Sequence, residues 1–264
     1  MRFLKLACIT IFISFLASCN QFKSYDELYD HYQGHLEENQ EIYQDMVDRF
    51  NDVSNQVIES VVMIEVSRIG SDRIIRGSGV VIGMDETSYY VITNHHVVHA
   101  DESVTQSYFI FDYLEIKYEA QLITSSPSYD LAVLSIPKLT TELHVISIRE
   151  DQPIEKTEIS ILGYPSARTI AITKGYIMYY MPIDITDVGM DVIDLDFDVM
   201  VSSAPVKSGS SGSLVIDSNL ELVGIVYAGY FSEDASIPEL TFAIPITQIH
   251  EFLTINQIKV GDYS

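Results

Sequence analysis

Three short segments of the 264-residue chain carry side chains suited to nucleophilic catalysis. Thr93-Asn94-His95-His96-Val97-Val98 offers imidazoles. Ser128-Tyr129-Asp130-Leu131-Ala132-Val133-Leu134 sets a carboxylate before an apolar run. Lys207-Ser208-Gly209-Ser210-Ser211-Gly212-Ser213-Leu214 sets hydroxyls among glycines. A serine hydroxyl is a weak nucleophile until a neighbouring imidazole accepts its proton. The imidazole needs a carboxylate to fix its tautomer and to stabilise the imidazolium that forms. The tetrahedral intermediate of acyl transfer carries an oxyanion, which calls for preorganised backbone N–H donors. A glycine two residues before a serine lets the chain turn so that the N–H groups of Gly209 and Ser211 aim at one spot. Singly, each segment is weak evidence. A histidine at a strand end is usually structural, Gly-Ser-Ser-Gly is a common turn, and an aspartate before a strand is commonly a solvated cap. The weight lies in their joint occurrence, in the order His, Asp, Ser.

Within the first segment, His95 and His99 are alternatives to His96. His95 and His99 stand four apart, as in a zinc-binding helix, but the position that would hold a catalytic Glu is His96. Asp194, Asp196 and Asp198 alternate with apolar residues, which reads as a strand with one wet face, and a calcium loop would need Gly and Glu in register. His31 and His35 share one face without further ligands. No metal and no cofactor is therefore expected. Among the serines, only Ser211 has Gly directly after it and Gly two before.

Residues so far apart in sequence need a framework to bring them together, and that framework reads as strands. Short runs rich in Val, Ile and Tyr fall at 57–67, 73–83, 88–93, 116–124, 131–136, 158–162, 169–180, 192–203, 213–216 and 220–228, separated by Gly, Pro, Ser, Asn or Asp. Many short strands with few helices predict an all-β sandwich or barrel. A closing helix is expected over 247–253.

The three motifs resemble those of the trypsin-like serine endopeptidases, most closely the bacterial HtrA-like branch, which has T-N-x-H-V-V, D-L-A-V-L and G-x-S-G. Leu162-Gly163-Tyr164-Pro165 and Phe242-Ala243-Ile244-Pro245 also match segments common in that branch. The resemblance covers roughly residues 57–256. It implies two packed six-stranded β-barrels with the catalytic residues in the cleft between them. Carried over position by position, His96 is the general base, Asp130 its orienting carboxylate and Ser211 the nucleophile, with Gly209 and Ser211 supplying the oxyanion hole. Pro205 stands where enzymes of this fold that cut after Lys or Arg place an acid. With Val226, Tyr227 and Ala228 along the wall, an uncharged, small-to-medium apolar primary pocket is expected. The sequence departs from the family at Ser213, which replaces a second Gly. It departs again at Ser210, where digestive relatives carry an Asp that pairs with a freshly cut N-terminus, so no activation of that kind is expected. Nineteen residues follow Pro245, so the PDZ domain usual in that branch is not expected here. The alternative function is a protease-fold lipoprotein that binds proteins without turnover.

The chain opens Met-Arg-Phe-Leu-Lys, continues with an apolar stretch over 6–16, and reaches Leu16-Ala17-Ser18-Cys19. A basic start, a short apolar run and small residues before a cut site describe an export signal. The run is shorter than the roughly 20 residues of a membrane span. Leu-Ala-Ser-Cys resembles the lipobox of bacterial lipoproteins, which implies cleavage before Cys19, lipid on that Cys, and a protein anchored at the bacterial cell membrane, facing outside the cytoplasm. The only other cysteine, Cys8, lies inside the signal, so the mature chain forms no internal disulfide.

Residues 20–55 hold nine acids against Lys23 and Arg49, with apolar and aromatic residues at alternating spacings of four and three. This predicts a helix with one sticky seam, packed on the following domain, standing as a solvated stalk, or self-associating as a coiled coil into a homo-oligomer. The domain plan is a signal peptide over 1–18, an acidic helical stalk over 19–56 and the enzyme-like domain over 57–264. The formal charge of −23 excludes phosphate-backbone binding, which needs clustered Lys and Arg, so the expected partners are protein or peptide substrates and the membrane, not nucleic acid.

Overall fold

The structure, a computed structural model, describes residues 56–68, 70, 74–99, 105–139, 141–165, 169–182, 195–230 and 239–262. The chain divides between Asp52 and Val53, and all described residues follow that division. The export signal, Cys19 and the acidic helix lie outside them.

Six strands build the first barrel: β1 (Val61–Arg68), β2 (Ile74–Met84), β3 (Ser88–Thr93), β4 (Gln106–Phe111), β5 (Lys117–Ser126) and β6 (Leu131–Pro137). They pair in the order β1-β4-β5-β6-β3-β2, and β2 closes the ring on β1. The second barrel is the closed ring β10-β11-β12-β9-β8-β7. Its strands are β7 (Glu158–Gly163), β8 (Ala171–Met181), β9 (Val199–Ser202), β10 (Leu214–Ile216), β11 (Leu222–Tyr230) and β12 (Leu240–Pro245). Helix α1 (His95–Val98) follows β3 and helix α2 (Ile246–Ile255) follows β12. A two-residue strand, β13 (Gly261–Asp262), returns to the first barrel and pairs parallel with Gly83 and Met84 of β2.

Side chains of a strand alternate between two faces, and both faces of several strands are buried here. Val62, Ile64, Val66, Val81, Val91, Ile110, Tyr118 and Leu134 fill the first barrel. Ile159, Ile161, Ile177, Met200, Val215, Val223 and Ala243 fill the second. The residues of opposite parity, such as Val61, Val80, Ile82 and Val133 from one barrel and Leu162, Val201, Leu214 and Ile244 from the other, form a third core with Ile249, Phe252 and Leu253 of α2. The barrels are thus joined by a core as apolar as their interiors. Each buried Val, Leu or Ile there stabilises by about 1.5–3 kcal/mol relative to exposure.

The all-β double-barrel expectation matches, with two barrel strands, β4 and β12, and the short β13 unread from sequence. β4 buries only Ile110 fully, so its aromatic run shows no alternation. β12 ends in Pro245, a residue that argues against a strand when read from sequence. Of the strand expected over 192–203, residues 192–194 lie outside the described residues, 195–198 are not strand, and Val199–Ser202 form β9, where β8 and β12 both supply ladder partners. Asp196 and Asp198 precede it as exposed residues outside any strand.

Candidate active site

The first barrel presents His96 and Asp130 from adjacent strand ends. Asn94 leaves β3 with extended backbone, φ −81° and ψ 149°, and α1 begins at His95. The first N–H groups of a helix have no partner within it. Here Asp130 supplies the partners. Its backbone carbonyl accepts the His95 N–H at 3.1 Å and the Asn94 side-chain amide at 3.1 Å. Its carboxylate Oδ1 accepts the His96 N–H at 2.9 Å, and Oδ2 lies 2.7 Å from His96 Nδ1. Asp130 follows a turn closed by its own N–H on the Pro127 carbonyl and takes φ +47°, a left-handed conformation that Asp tolerates better than most residues. Its side chain is fully buried, while that of His96 is 31% exposed. A carboxylate only accepts hydrogen bonds, so Nδ1 of His96 carries the proton and Nε2 keeps its lone pair.

The second barrel presents Ser211 from the loop between β9 and β10. The Ser210 N–H donates to the Lys207 carbonyl at 3.0 Å, and the Ser213 N–H donates to the Ser210 carbonyl at 2.9 Å, giving two successive turns. Gly209 and Gly212 sit at φ +92° and +83°, where glycine alone is unstrained. The Gly212 N–H donates to the Val226 carbonyl at 2.8 Å, which ties the loop to β11. The Ser211 carbonyl accepts the Ser78 N–H at 2.7 Å, which ties it to the first barrel. Among the described residues, the N–H groups of Gly209 and Ser211 donate to no protein acceptor. They stand available for an oxyanion.

His96, Gly209 and Ser211 line one cavity of about 200 Å³. No hydrogen bond joins His96 to Ser211 in this conformation, and such contacts commonly tighten only with substrate. The walls are Val206, Val226, Tyr227, Ala228 and Gly229, with Lys207 and Ser208 at the mouth. Tyr227 is the extra residue of a bulge in β11, between Val226 and Ala228 in the ladder to β12, and the bulge re-aims the strand at the cavity. Pro205 departs from the expected placement. It is exposed and lines a second cavity of about 220 Å³ with Ser210 and Ser213, but not the cavity of His96 and Ser211; its neighbour Val206 lines both. Ser210 is buried, and its hydroxyl accepts the Lys207 N–H at 3.3 Å.

Sequence reasoning gave no role to Asn94 beyond its motif, and none to Ser78. Among the described residues, no three His, Cys, Asp or Glu side chains stand close enough to hold a metal ion. His95 and His99 instead stack with ring centroids 4.5 Å apart.

Comparison with known proteins gives the same outline. A family model described as a trypsin-like peptidase domain matches residues 77–225. Serine protease Rv3671c of Mycobacterium tuberculosis is 29% identical over 181 residues, 66% of this chain and 42% of the relative. The serine protease Do-like HtrA of Bacillus subtilis is 29% identical over 196 residues, 69% of this chain and 40% of the relative. The periplasmic serine endoprotease DegP of Escherichia coli is 26% identical over 188 residues, 70% of this chain and 36% of the relative. The chain thus spans about two fifths of the length of these curated relatives. The crystal structure of the M. tuberculosis Rv3671c protease in its active form superposes with a TM-score of 0.61 at 24% identity, covering 76% of this chain and 82% of that one. Two closed barrels meeting at this cavity and a family match over more than half the sequence lead to one statement: the chain belongs to the trypsin-like peptidase domain family and is homologous to the HtrA-type serine proteases.

Proposed function

We propose that the protein is an exported, lipid-anchored serine endopeptidase that cleaves peptide bonds through an acyl-enzyme. Ser211 attacks the carbonyl carbon while His96 Nε2 takes its proton. The protonated His96 returns that proton to the departing amine, and the acyl-Ser211 ester is then hydrolysed by water activated the same way. Asp130 keeps Nδ1 protonated and stabilises the imidazolium. The N–H groups of Gly209 and Ser211 take the oxyanion. The observation that carries this reading is the double hold of Asp130 on His96, with His96 facing the same cavity as Ser211.

The apolar walls Val206, Val226, Tyr227 and Ala228, with no carboxylate among the described lining residues, favour an uncharged, small-to-medium apolar side chain at the cleaved position. Pro205 is not a wall of this pocket. The export signal and Cys19 supply the anchor, placing the enzyme outside the cytoplasm. The DegP relative is named periplasmic, which supports export. The acidic helix over 20–55 packs on the domain or joins copies of the chain. Light scattering of the soluble protein separates these outcomes.

A fluorophosphonate tests the mechanism. The wild type should be labelled with one equivalent and Ser211→Ala should not. Labelling of Ser211→Ala, or none of the wild type, would refute the assignment. A peptide library cut mainly after Arg would refute the pocket assignment alone.

A further inference from the structure

We propose that Ser78, in the middle of β2, is a positioning residue that holds the Gly209 turn in the conformation able to stabilise an oxyanion. This rests on the reading of Ser211 as the nucleophile. Ser78 is completely buried and shares parity with Val80 and Ile82, so it points out of the first barrel toward the second. Its polar atoms reach three segments: the loop of Ser211, Thr93 of β3 and Tyr164. The N–H donates to the Ser211 carbonyl at 2.7 Å. The carbonyl accepts the Thr93 hydroxyl at 2.7 Å. The side-chain oxygen accepts the Tyr164 N–H at 2.9 Å and the Ser213 hydroxyl at 3.2 Å. A hydroxyl has two lone pairs and one hydrogen. With both lone pairs engaged, the hydrogen goes to the Gly209 carbonyl, 3.4 Å away. Gly163 makes room for the cluster, since a Cβ there would stand 1.8 Å from the Ser213 hydroxyl and 2.9 Å from that of Ser78.

The turn Lys207–Ser210 closes by the Ser210 N–H on the Lys207 carbonyl, with φ +92° at Gly209 and no positive φ at Ser208. This is the signature of a type II turn, which differs from type I by a flip of its middle peptide. That middle peptide carries the Gly209 N–H. Ser78 grips the carbonyl on the other side of the Gly209 Cα, and its own N–H grips Ser211 two residues on. One residue of the first barrel thereby fixes both ends of the segment whose N–H groups face the oxyanion. Without the hydroxyl, the middle peptide is freer to flip and carry the Gly209 N–H away.

The test uses the full chain carrying Ser78→Ala, with thermal melting to establish folding. Roughly tenfold lower kcat is expected with KM within about twofold of wild type, the size of one neutral hydrogen bond realised in the transition state. Affinity for a peptide aldehyde, whose adduct with Ser211 carries the oxyanion, should fall by the same factor. Ser78→Cys keeps the shape with a weaker donor and should lose several-fold in both readouts. It stands in if Ser78→Ala does not fold. An unchanged kcat and aldehyde affinity in a folded variant, or a raised KM with unchanged kcat, overturns the proposal while leaving Ser211 its role. A wild type that hydrolyses no peptide and takes no fluorophosphonate overturns both.

Discussion

Asp130 holds His96 at two points, its Oδ1 on the backbone N–H at 2.9 Å and its Oδ2 on Nδ1 at 2.7 Å. The backbone contact fixes which oxygen is which. In Asp130→Asn the carbonyl oxygen must stay on the His96 N–H, so the amide nitrogen faces Nδ1 and donates to it. The imidazole is then protonated at Nε2, where it can no longer accept a proton from Ser211. We expect kcat to fall on the order of 10⁴-fold with little change in melting temperature. Peptide hydrolysis against a melting curve checks both halves. A variant within tenfold of wild type would remove Asp130 from the mechanism.

Gly212 has no substitute. A Cβ there would lie 1.9 Å from the Ser78 carbonyl oxygen and 2.6 Å from the Thr93 hydroxyl, and its φ of +83° is itself strained for an L side chain. Gly212→Ala should cost at least about 2 kcal/mol and displace Ser211. Urea denaturation and fluorophosphonate labelling should both register the change.

Stability should carry a specific acid sensitivity through His95. The side chain is 7% exposed. Burial first, and the neighbouring His99 second, hold its pKa below the ordinary value of 6.5, while Asp130 acts the other way and His96 adds to the lowering. The unfolded chain therefore binds this proton more readily than the folded one. Stability is at full strength above the unfolded value and falls as pH drops from there through the lowered folded value. His95→Asn should flatten that decline. Melting temperatures between pH 7.5 and 5 should drop by a few degrees less in the variant. Equal drops would show that His95 is not the group responsible.

Arg149 closes a half-buried ion pair, its guanidinium 2.6 Å from Asp217; the Arg149 side chain is 30% exposed and that of Asp217 2%. Asp217 also accepts the N–H groups of Asn219 and Glu221 at the start of β11. Arg149→Ala leaves that carboxylate buried with only these donors and should cost about 3 kcal/mol. Adding Asp217→Asn should recover part of the loss. Chemical denaturation of the single and double variants decides it.

The chemistry was legible in the sequence because its backbone demands special residues. Gly209 and Gly212 occupy left-handed positions, Asp130 takes a positive φ, and Asn94 spends its side-chain amide on the Asp130 carbonyl, so each position favours a special residue type. The strand at Ser88–Thr93 was legible to the residue because turns bound it closely. What stayed hidden depends on the meeting of the barrels. Val80-Val81-Ile82 shows no alternation since one face fills a barrel and the other the shared core. Ser78 sits in Gly-Ser-Gly, which reads as a turn, and the partners of its hydroxyl lie more than 80 positions away. Val206 lines the cavity of His96 and Ser211 while its neighbour Pro205 does not, a distinction that depends on how the loop runs in space and that composition does not encode.

The last strand lends the fold a clasp. After α2 has docked on the shared core, Asn256 accepts the Thr124 hydroxyl of β5, and β13 then zips onto β2. The segment after the second barrel therefore ends by buckling onto the first. Rocking one half against the other, and so widening the groove at their seam, requires this short buckle to strain or release.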